Sequence, residues 1–529
     1  MIAELGPLVW GVAACIALAI FIPRWIGNGA KEPPSLGGWM IGNTYQYMTD
    51  MHGFLQRVAS AQRKSKIVKF RLGPKKIYMV SGEQNIQAIN KPSHSISPDV
   101  FFLEVMANVW GARKDEVTKF ANDKSGRSKN PVPGHDVKPG QPRLWHGQHH
   151  VYSEYLQRAD HANALSDKYY ELFSDRLKKQ PLGEWQEVRL SEFFESEMAE
   201  AALVALMGPR IVKLNPGFWP AMWEFARLAP RLMWGLPRWV NPKPWEIREQ
   251  FHGMCRRYLD SAEKEFDWNG PDTDSEWEPH YGSRMARELI GWAKNNLSPE
   301  TTAGMVATFI FGTNANSVPL STWAMMELIA DPELYKAVHE ECMAASTVDP
   351  ATGERVFNPQ KLLGMPLLQS VYIETLRLHV SINVTREVTQ PITLDGHFLT
   401  PGSLIQAPSQ IGQYNEAVWA SEGHPASQFW AGRNLKRENG KAEFTMAGRT
   451  TSFFPFGGGP SICPGRVFAK QEILMTIAAL VTRFEIEMID WVHPDGTKSD
   501  RPAQNDQSYI GAVGIPPDRD MKVRWKRLW

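Results

Sequence analysis

Long apolar runs broken by short polar interruptions dominate this chain, and several have the spacing of helices. Residues 5–22 are apolar and uncharged, long enough at 1.5 Å per residue to cross a bilayer core. Pro23-Arg24 closes that run, and Lys31-Glu32-Pro33-Pro34 reads as a stiff linker. Residues 303–329 are again mostly apolar, which predicts a helix buried through a large domain. Its start is marked by Ser298 as N-cap, Pro299 at the first position and Glu300 beside the positive end of the dipole. Thr313, Asn314, Asn316 and Ser317 interrupt the run, and Pro319 follows. A proline there removes a donor and leaves the Ala315 carbonyl without its usual partner, so a kink or widening is expected. Residues 367–379 have helical apolar spacing. Residues 218–245 interleave prolines with Trp219, Trp223, Trp239 and Trp245, a pattern suited to core packing and, for some rings, to lipid. Residues 113–141 are polar, charged and rich in Gly and Pro, and read as a long surface loop.

Composition narrows the possibilities. A formal net charge of +1 excludes a phosphate-binding surface of the kind nucleic acid requires. The 4 cysteines, one of them in the first apolar run, give no disulfide framework and fit a reducing compartment. No glycine fingerprint for a dinucleotide follows a strand, so electrons for redox chemistry would come from another protein.

The densest chemical signal is Phe456-Gly457-Gly458-Gly459-Pro460-Ser461-Ile462-Cys463-Pro464-Gly465-Arg466. Glycine backbone can lie close to a flat ligand and adopt turns barred to other residues. Pro464 suits a first helical turn, which would place the Cys463 sulfur at a helix N-terminus, where free N–H groups favour a thiolate. Such a thiolate is a suitable axial ligand for haem iron. Upstream, Glu374-Thr375-Leu376-Arg377 puts a carboxylate and a guanidinium on one helical face.

The string from Phe456 to Arg466, with Phe468-Ala469 after it and Glu374/Arg377 before it, resembles the haem-binding loop and Glu-x-x-Arg pair of the cytochrome P450 family. That resemblance implies a mainly α fold with small β-sheets, in one large domain. It implies haem b held by the Cys463 thiolate, with Phe456, Gly457, Gly459 and Gly465 shaping the loop. Glu374 and Arg377 become a buried structural pair, intolerant of single truncation. Arg386, in the Asn383–Val388 stretch, matches the arginine that binds a haem propionate. Asn316-Ser317 occupy the places of the acid–alcohol pair that delivers protons during oxygen activation; the amide is no acid, but the serine can relay a proton through water. Ala315-Asn316-Ser317-Val318-Pro319 is similar to the branch containing sterol 7α-hydroxylases, oxysterol hydroxylases and prostacyclin synthase. Three departures stand out. Ser461 replaces the basic residue two before the cysteine, Trp145 and His149 have the spacing of a tryptophan–arginine pair with a histidine in place of the arginine, and residues 425–429 lack the arginine common there.

The expected organisation is an N-terminal transmembrane anchor over 1–25, a linker over 26–40 and a haem domain over 41–529. Glu4 precedes the apolar run and the positive charges follow it, which favours a signal anchor over a cleaved leader and a cytosolic domain on the endoplasmic reticulum membrane. The expected activity is monooxygenation of a lipophilic substrate, such as a steroid, terpenoid or polycyclic secondary metabolite. It would use O2 and electrons from an NADPH-cytochrome reductase, with Lys470, Arg466 and Arg449 as a basic face toward that partner. The alternative is a reductase-independent isomerase or dehydratase like prostacyclin synthase, which shares the asparagine.

Overall fold

The run that begins after Ser298 is one helix, Pro299–Ala330, 32 residues long, in a computed structural model that describes residues 31–529 other than 38–39, 234, 351–352, 354 and 439. It is apolar on all sides because it is packed on all sides. Its start is doubly capped. The Ser298 hydroxyl accepts from the Thr301 N–H, and the buried Glu116 carboxylate accepts from the Ser298 N–H at 2.5 Å and the Thr301 hydroxyl at 2.6 Å. The α-helix continues through Pro319. Burial of Ala315, Val318, Pro319 and Leu320 supplies tertiary packing that outweighs one lost backbone bond. Gly304 is required by a crossing: a β-carbon there would overlap the Trp110 carbonyl.

Around this helix lie Ala159–Lys178, Phe218–Leu232, Pro242–Glu265, Pro366–His379 and Arg466–Arg483, joined in one apolar core. The expected helix at 367–379 is present with one added residue. To one side stands a five-stranded sheet in the order Ile67–Leu72, Lys75–Val80, Leu404–Pro408, Asn383–Val388, Ile96–Ser97. Leu404–Pro408 runs parallel to Lys75–Val80 and antiparallel to Asn383–Val388, placing Ile405 opposite Arg386. Phe484–Val492, Asp520–Arg527 and Trp185–Arg189 form a three-stranded sheet. The architecture is therefore mainly helical with small sheets.

The 113–141 stretch is not one surface loop. Lys114–Asn122 is a helix whose first turn is closed by Glu116, whose carboxylate accepts from the Arg113 N–H. Beyond it the chain turns inward: Asp123, Ser125 and Arg127 are buried, with the Asp123 carboxylate accepting from Ser125 N–H and Trp145 N–H. Asp123 and Ser125 are satisfied inside the protein, and Arg127 is paired there with Asp99. Lys31-Glu32-Pro33-Pro34 is also tied down. The Lys69 N–H donates to the Pro34 carbonyl at 2.9 Å and the Leu36 N–H donates to the Lys69 carbonyl at 2.8 Å. The expected anchor at 1–25 lies outside the described residues; among those described, no helix is long and apolar enough to cross a membrane.

Burial pushes the Glu116 carboxyl up, but the Thr301 hydroxyl and the Ser298 and Arg113 N–H groups outweigh it, and its pKa is lowered overall. Its contribution to stability is therefore present above the ordinary carboxylate range and lost as pH falls through the depressed value. Glu116→Ala is expected to destabilise the protein by about 3 kcal/mol at neutral pH, from charge-assisted bonds left unmade. Urea denaturation should show the deficit shrinking toward acid pH.

Candidate active site around Cys463

The glycine loop folds back on itself. The Cys463 N–H donates to the Phe456 carbonyl at 2.9 Å, and the Ile462 N–H to the Gly459 carbonyl at 3.1 Å. Pro464 and Gly465 form the turn, and the helix begins at Arg466. The Gly465 and Arg466 N–H groups both donate to the Cys463 sulfur. Burial pushes the thiol pKa up, while these donors and the Arg466 guanidinium pull it down without prevailing. Of the three described cysteines, Cys255 and Cys342 are buried, whereas Cys463 is crowded by its loop yet keeps accessible surface. A metal that displaces the thiol proton would find here the one open sulfur among them, already met by helix N-terminal donors.

The glycines divide their tasks. Gly459 has φ +65, and a β-carbon on it would overlap the Asn90 backbone; one on Gly458 would overlap the Asn90 amide. These two positions admit Asn90 rather than a ligand. Gly457, at φ +73, has open space beside it, and a β-carbon on Gly465 would meet only the Cys463 sulfur, at 3.8 Å.

Asn90 leads to a cluster of cations. Arg386 donates to the Asn90 side-chain carbonyl at 2.8 Å and to the backbone carbonyls of Ile89, Thr385 and Gly458 at 3.2, 3.0 and 3.1 Å. Burial, then the nearby Arg127, pushes its pKa down to about 10. Arg127 is held between the rings of Phe102 and Trp145, at 4.3 and 4.2 Å. One of its nitrogens donates to Asp99 at 2.5 Å, and its Nη2 is buried with no acceptor. His149 binds Ser153 through Nδ1 at 3.0 Å, while its Nε2 is buried without a partner. Burial and then Arg127 push that imidazole down to about 4. The unpaired Arg127 Nη2, close to Arg386 and to the partnerless Nε2 of a neutral His149, fits an anionic group, as the propionates of a haem on Cys463 would be. Arg127 lies in the stretch that reads as a surface loop, where no signal marks it. Trp145 does not share the task, since its indole N–H donates to the Phe120 carbonyl at 2.9 Å.

On the central helix, Gly312 is exposed between half-buried neighbours, with open space where a β-carbon would stand. Asn316 donates to the Gly312 carbonyl at 3.1 Å and accepts from the Gly514 N–H at 2.9 Å; both ends of its amide are engaged by backbone. Ser317 is buried and near enough to Glu472 to lower its pKa, while the Glu472 Oε1 is buried without a partner. The two neighbours thus serve different partners. Burial pushes the Glu472 carboxyl up to about 8, against the pull of Ser317. Glu472 escapes a motif-based reading; its signal is an acid inside the apolar Arg466–Arg483 helix.

Glu374 and Arg377 are fully buried and joined by two bonds of 2.8 Å. Here the reading of 425–429 needs correction: the missing arginine is Arg433. After Trp430, a short 3-10 turn at Ala431–Asn434 carries Arg433 back to donate to Glu374 at 2.9 Å. Arg449 is also structural, donating to the Arg433 carbonyl at 2.6 Å and lying over the Trp419 ring.

The family profile described as Cytochrome P450 matches residues 32–501. Cytochrome P450 monooxygenase calL of Penicillium decumbens is 86% identical over 526 residues, covering 99% of this chain and 98% of that protein. Cholesterol 7-alpha-monooxygenase of Cricetulus griseus is 27% identical over 230 residues, 41% of this chain and 43% of that protein. The structure of retinoic acid bound cyanobacterial CYP120A1 superposes with a TM-score of 0.65 at 15% identity, covering 95% of this chain and all of that one, a likeness of fold. The chain belongs to the cytochrome P450 family, and within it is a monooxygenase. Haem-thiolate chemistry and use of O2 follow from that membership.

Removing one partner from a buried ion pair costs about 3–5 kcal/mol, so Arg433→Ala and Arg377→Ala should each lower stability by that order. Cys463→Ala should abolish the red-shifted thiolate band of the reduced carbon monoxide complex, whereas Cys255→Ala and Cys342→Ala should retain it. A thiolate band surviving in Cys463→Ala would place the ligand elsewhere.

Proposed function

We propose that this protein is a membrane-anchored monooxygenase of a lipophilic substrate, a steroid, terpenoid or polycyclic secondary metabolite, drawing electrons from a separate NADPH-cytochrome reductase. The observation that carries the reading is the open Cys463 thiol at a helix N-terminus, with Arg386 bonded to Gly458 of its loop and the unpaired Arg127 nitrogen near Arg386. Cys463 would hold haem iron, with Arg386, Arg127 and His149 about the propionates. Bound there, haem supplies activation of O2 for insertion of one oxygen atom, the thiolate pushing electron density toward O–O cleavage.

The chain's own residues would do the rest. Gly312 leaves room against the central helix. Asn316 fixes the segment at Gly514 over that room. The Glu472 carboxyl keeps its proton up to about pH 8 and faces the Ser317 hydroxyl, so a proton can be held at Glu472 and passed through Ser317. A monooxygenase consumes protons and a peroxide isomerase does not, which favours oxygenation. For the anchored state, the support is the turn between Phe218–Leu232 and Pro242–Glu265: Trp239 is 85% exposed and Val240 48%, flanked by Arg238 and Lys243. An indole with basic neighbours suits a membrane interface. An apolar substrate would then enter from lipid. The relative whose name specifies a sterol, cholesterol 7-alpha-monooxygenase, is consistent with that substrate class.

The test is turnover of a lipid extract with and without NADPH and purified reductase, read by mass spectrometry for a gain of one oxygen. Full product without NADPH would overturn the assignment. Glu472→Gln and Ser317→Ala should lower product per NADPH consumed, with a general acid–base contribution of up to about 10²-fold, while leaving the ferric spectrum near normal. Because the carboxyl proton is lost above about pH 8, wild-type coupling should fall through that range and the Glu472→Gln profile should be flat.

A further inference from the structure

A cleft of about 510 Å³ lies against the cysteine loop. No residue of the central helix lines it; Phe456 and Arg466, on either side of Cys463 in the chain, do. It is thus separate from the open surface at Gly312. Leu363, Tyr372, Ile373, Phe453, Phe456 and Val467 make an apolar wall, and its volume falls within the range of small-molecule sites. Two cations border this wall. The Lys470 amine donates to the Gln369 side-chain carbonyl at 2.9 Å, and Arg466 donates to the Cys463 carbonyl at 3.0 Å. Neither makes an ion pair among the described residues. The Gln369 amide nitrogen, next to the Lys470 amine, makes no hydrogen bond within the described protein and is a further donor toward the same rim.

We propose that this cleft binds a free hydrophobic carboxylic acid, its head on Lys470 and Gln369 and its apolar body against Phe453, Ile373 and Val467. The charge pattern selects the class. A half-buried ammonium without a carboxylate costs desolvation that a single anionic head recovers, and two adjacent donors match the two oxygens of that head. Burial lowers the Lys470 pKa with no carboxylate opposing it, in keeping with a missing counter-ion. The wall is too apolar for a strongly hydrated anion. Because the cleft adjoins the outer side of the Cys463 loop, an occupant would cover the face beside the Arg466 side chain.

The test uses the full-length haem-loaded enzyme, with lauric acid and its uncharged methyl ester as probes and hydrogen exchange as the readout. Lauric acid should slow exchange in residues 363–373 and 444–470, and the ester should bind about ten-fold more weakly, as expected for loss of a charge-assisted pair. Lys470→Met should bind lauric acid about ten-fold more weakly and the ester unchanged. Val467→Trp, which fills the cleft, should abolish protection by both while its thiolate carbon monoxide band shows that it is folded. Absence of protection in wild type overturns the proposal, as does equal affinity of Lys470→Met for lauric acid. So does protection of these segments by a reductase alone, which would make the cleft a protein-docking surface only. Lauric acid that shifts the haem spin state equally in wild type and Val467→Trp, without protecting the cleft, would assign it to the substrate site instead and likewise overturn the proposal.

Discussion

A carboxylate with no access to water, Glu374, has to be neutralised where it lies, and the geometry of the thiolate side follows from that need. Two guanidiniums do it, Arg377 from the same helix and Arg433 from far along the chain. Each then has donors left over, and the buried carbonyls of the intervening segments take them. Arg377 reaches Gln413, Ala426 and Gln428, while Arg433 reaches Trp419, Pro425 and Gln428. Backbone that could not be buried unpaired is thereby folded around one charge. Arg449 continues the chain of contacts by donating to the Arg433 carbonyl, and the next segment leads directly into the cysteine loop. The position of Cys463 is set at several removes by the need to pair a single acid.

The opposite face is organised by weaker groups with stricter geometry. Asn316 bridges the central helix to Gly514, tying the segment after Tyr509 to the helix under it. Ser317, one residue on, turns toward the cysteine helix and Glu472. Adjacent residues on a helix point about 100° apart, which is why a pair that reads as one functional unit in sequence addresses two different elements in space. The two residues stand where the resemblance places an acid–alcohol pair, and the amide in the acid's place is a tether between backbone segments.

How legible was this in the sequence? Local chemistry was: the Ser298–Pro299–Glu300 start, the Glu374–Arg377 face and the glycine loop all follow from contacts among residues a few positions apart. Partners brought by long connections were not. Arg433 stands only four residues beyond Phe429, yet nothing in its neighbours reveals the turn at Ala431–Asn434 that aims it at Glu374. Arg127 was hidden by polar company, because burial of Asp123, Ser125 and Arg127 depends on Trp145 and Phe102 arriving from other elements. Glu472 had a signal, an acid in an apolar helix, whose meaning depended on Ser317 facing it. At Pro319 the local backbone cost is visible in the sequence, whereas the packing that carries the α-helix through it is not.

The stretch at 31–37 acts as a mechanical fastening. Pro34 and Leu36 share backbone bonds with Lys69, and Glu32 forms ion pairs with both Lys69 and Lys76. Lys69 and Lys76 belong to the two outermost paired strands on that side of the five-stranded sheet. Any tension applied through residue 31 is therefore delivered as shear along an edge strand, with no slack segment to absorb it between Glu32 and the sheet. The same sheet carries Arg386 on Asn383–Val388, two strands further in. A pull at Lys31 thus bears on the attitude of the whole sheet, and with it on the Arg386 guanidinium that donates to Gly458 of the cysteine loop.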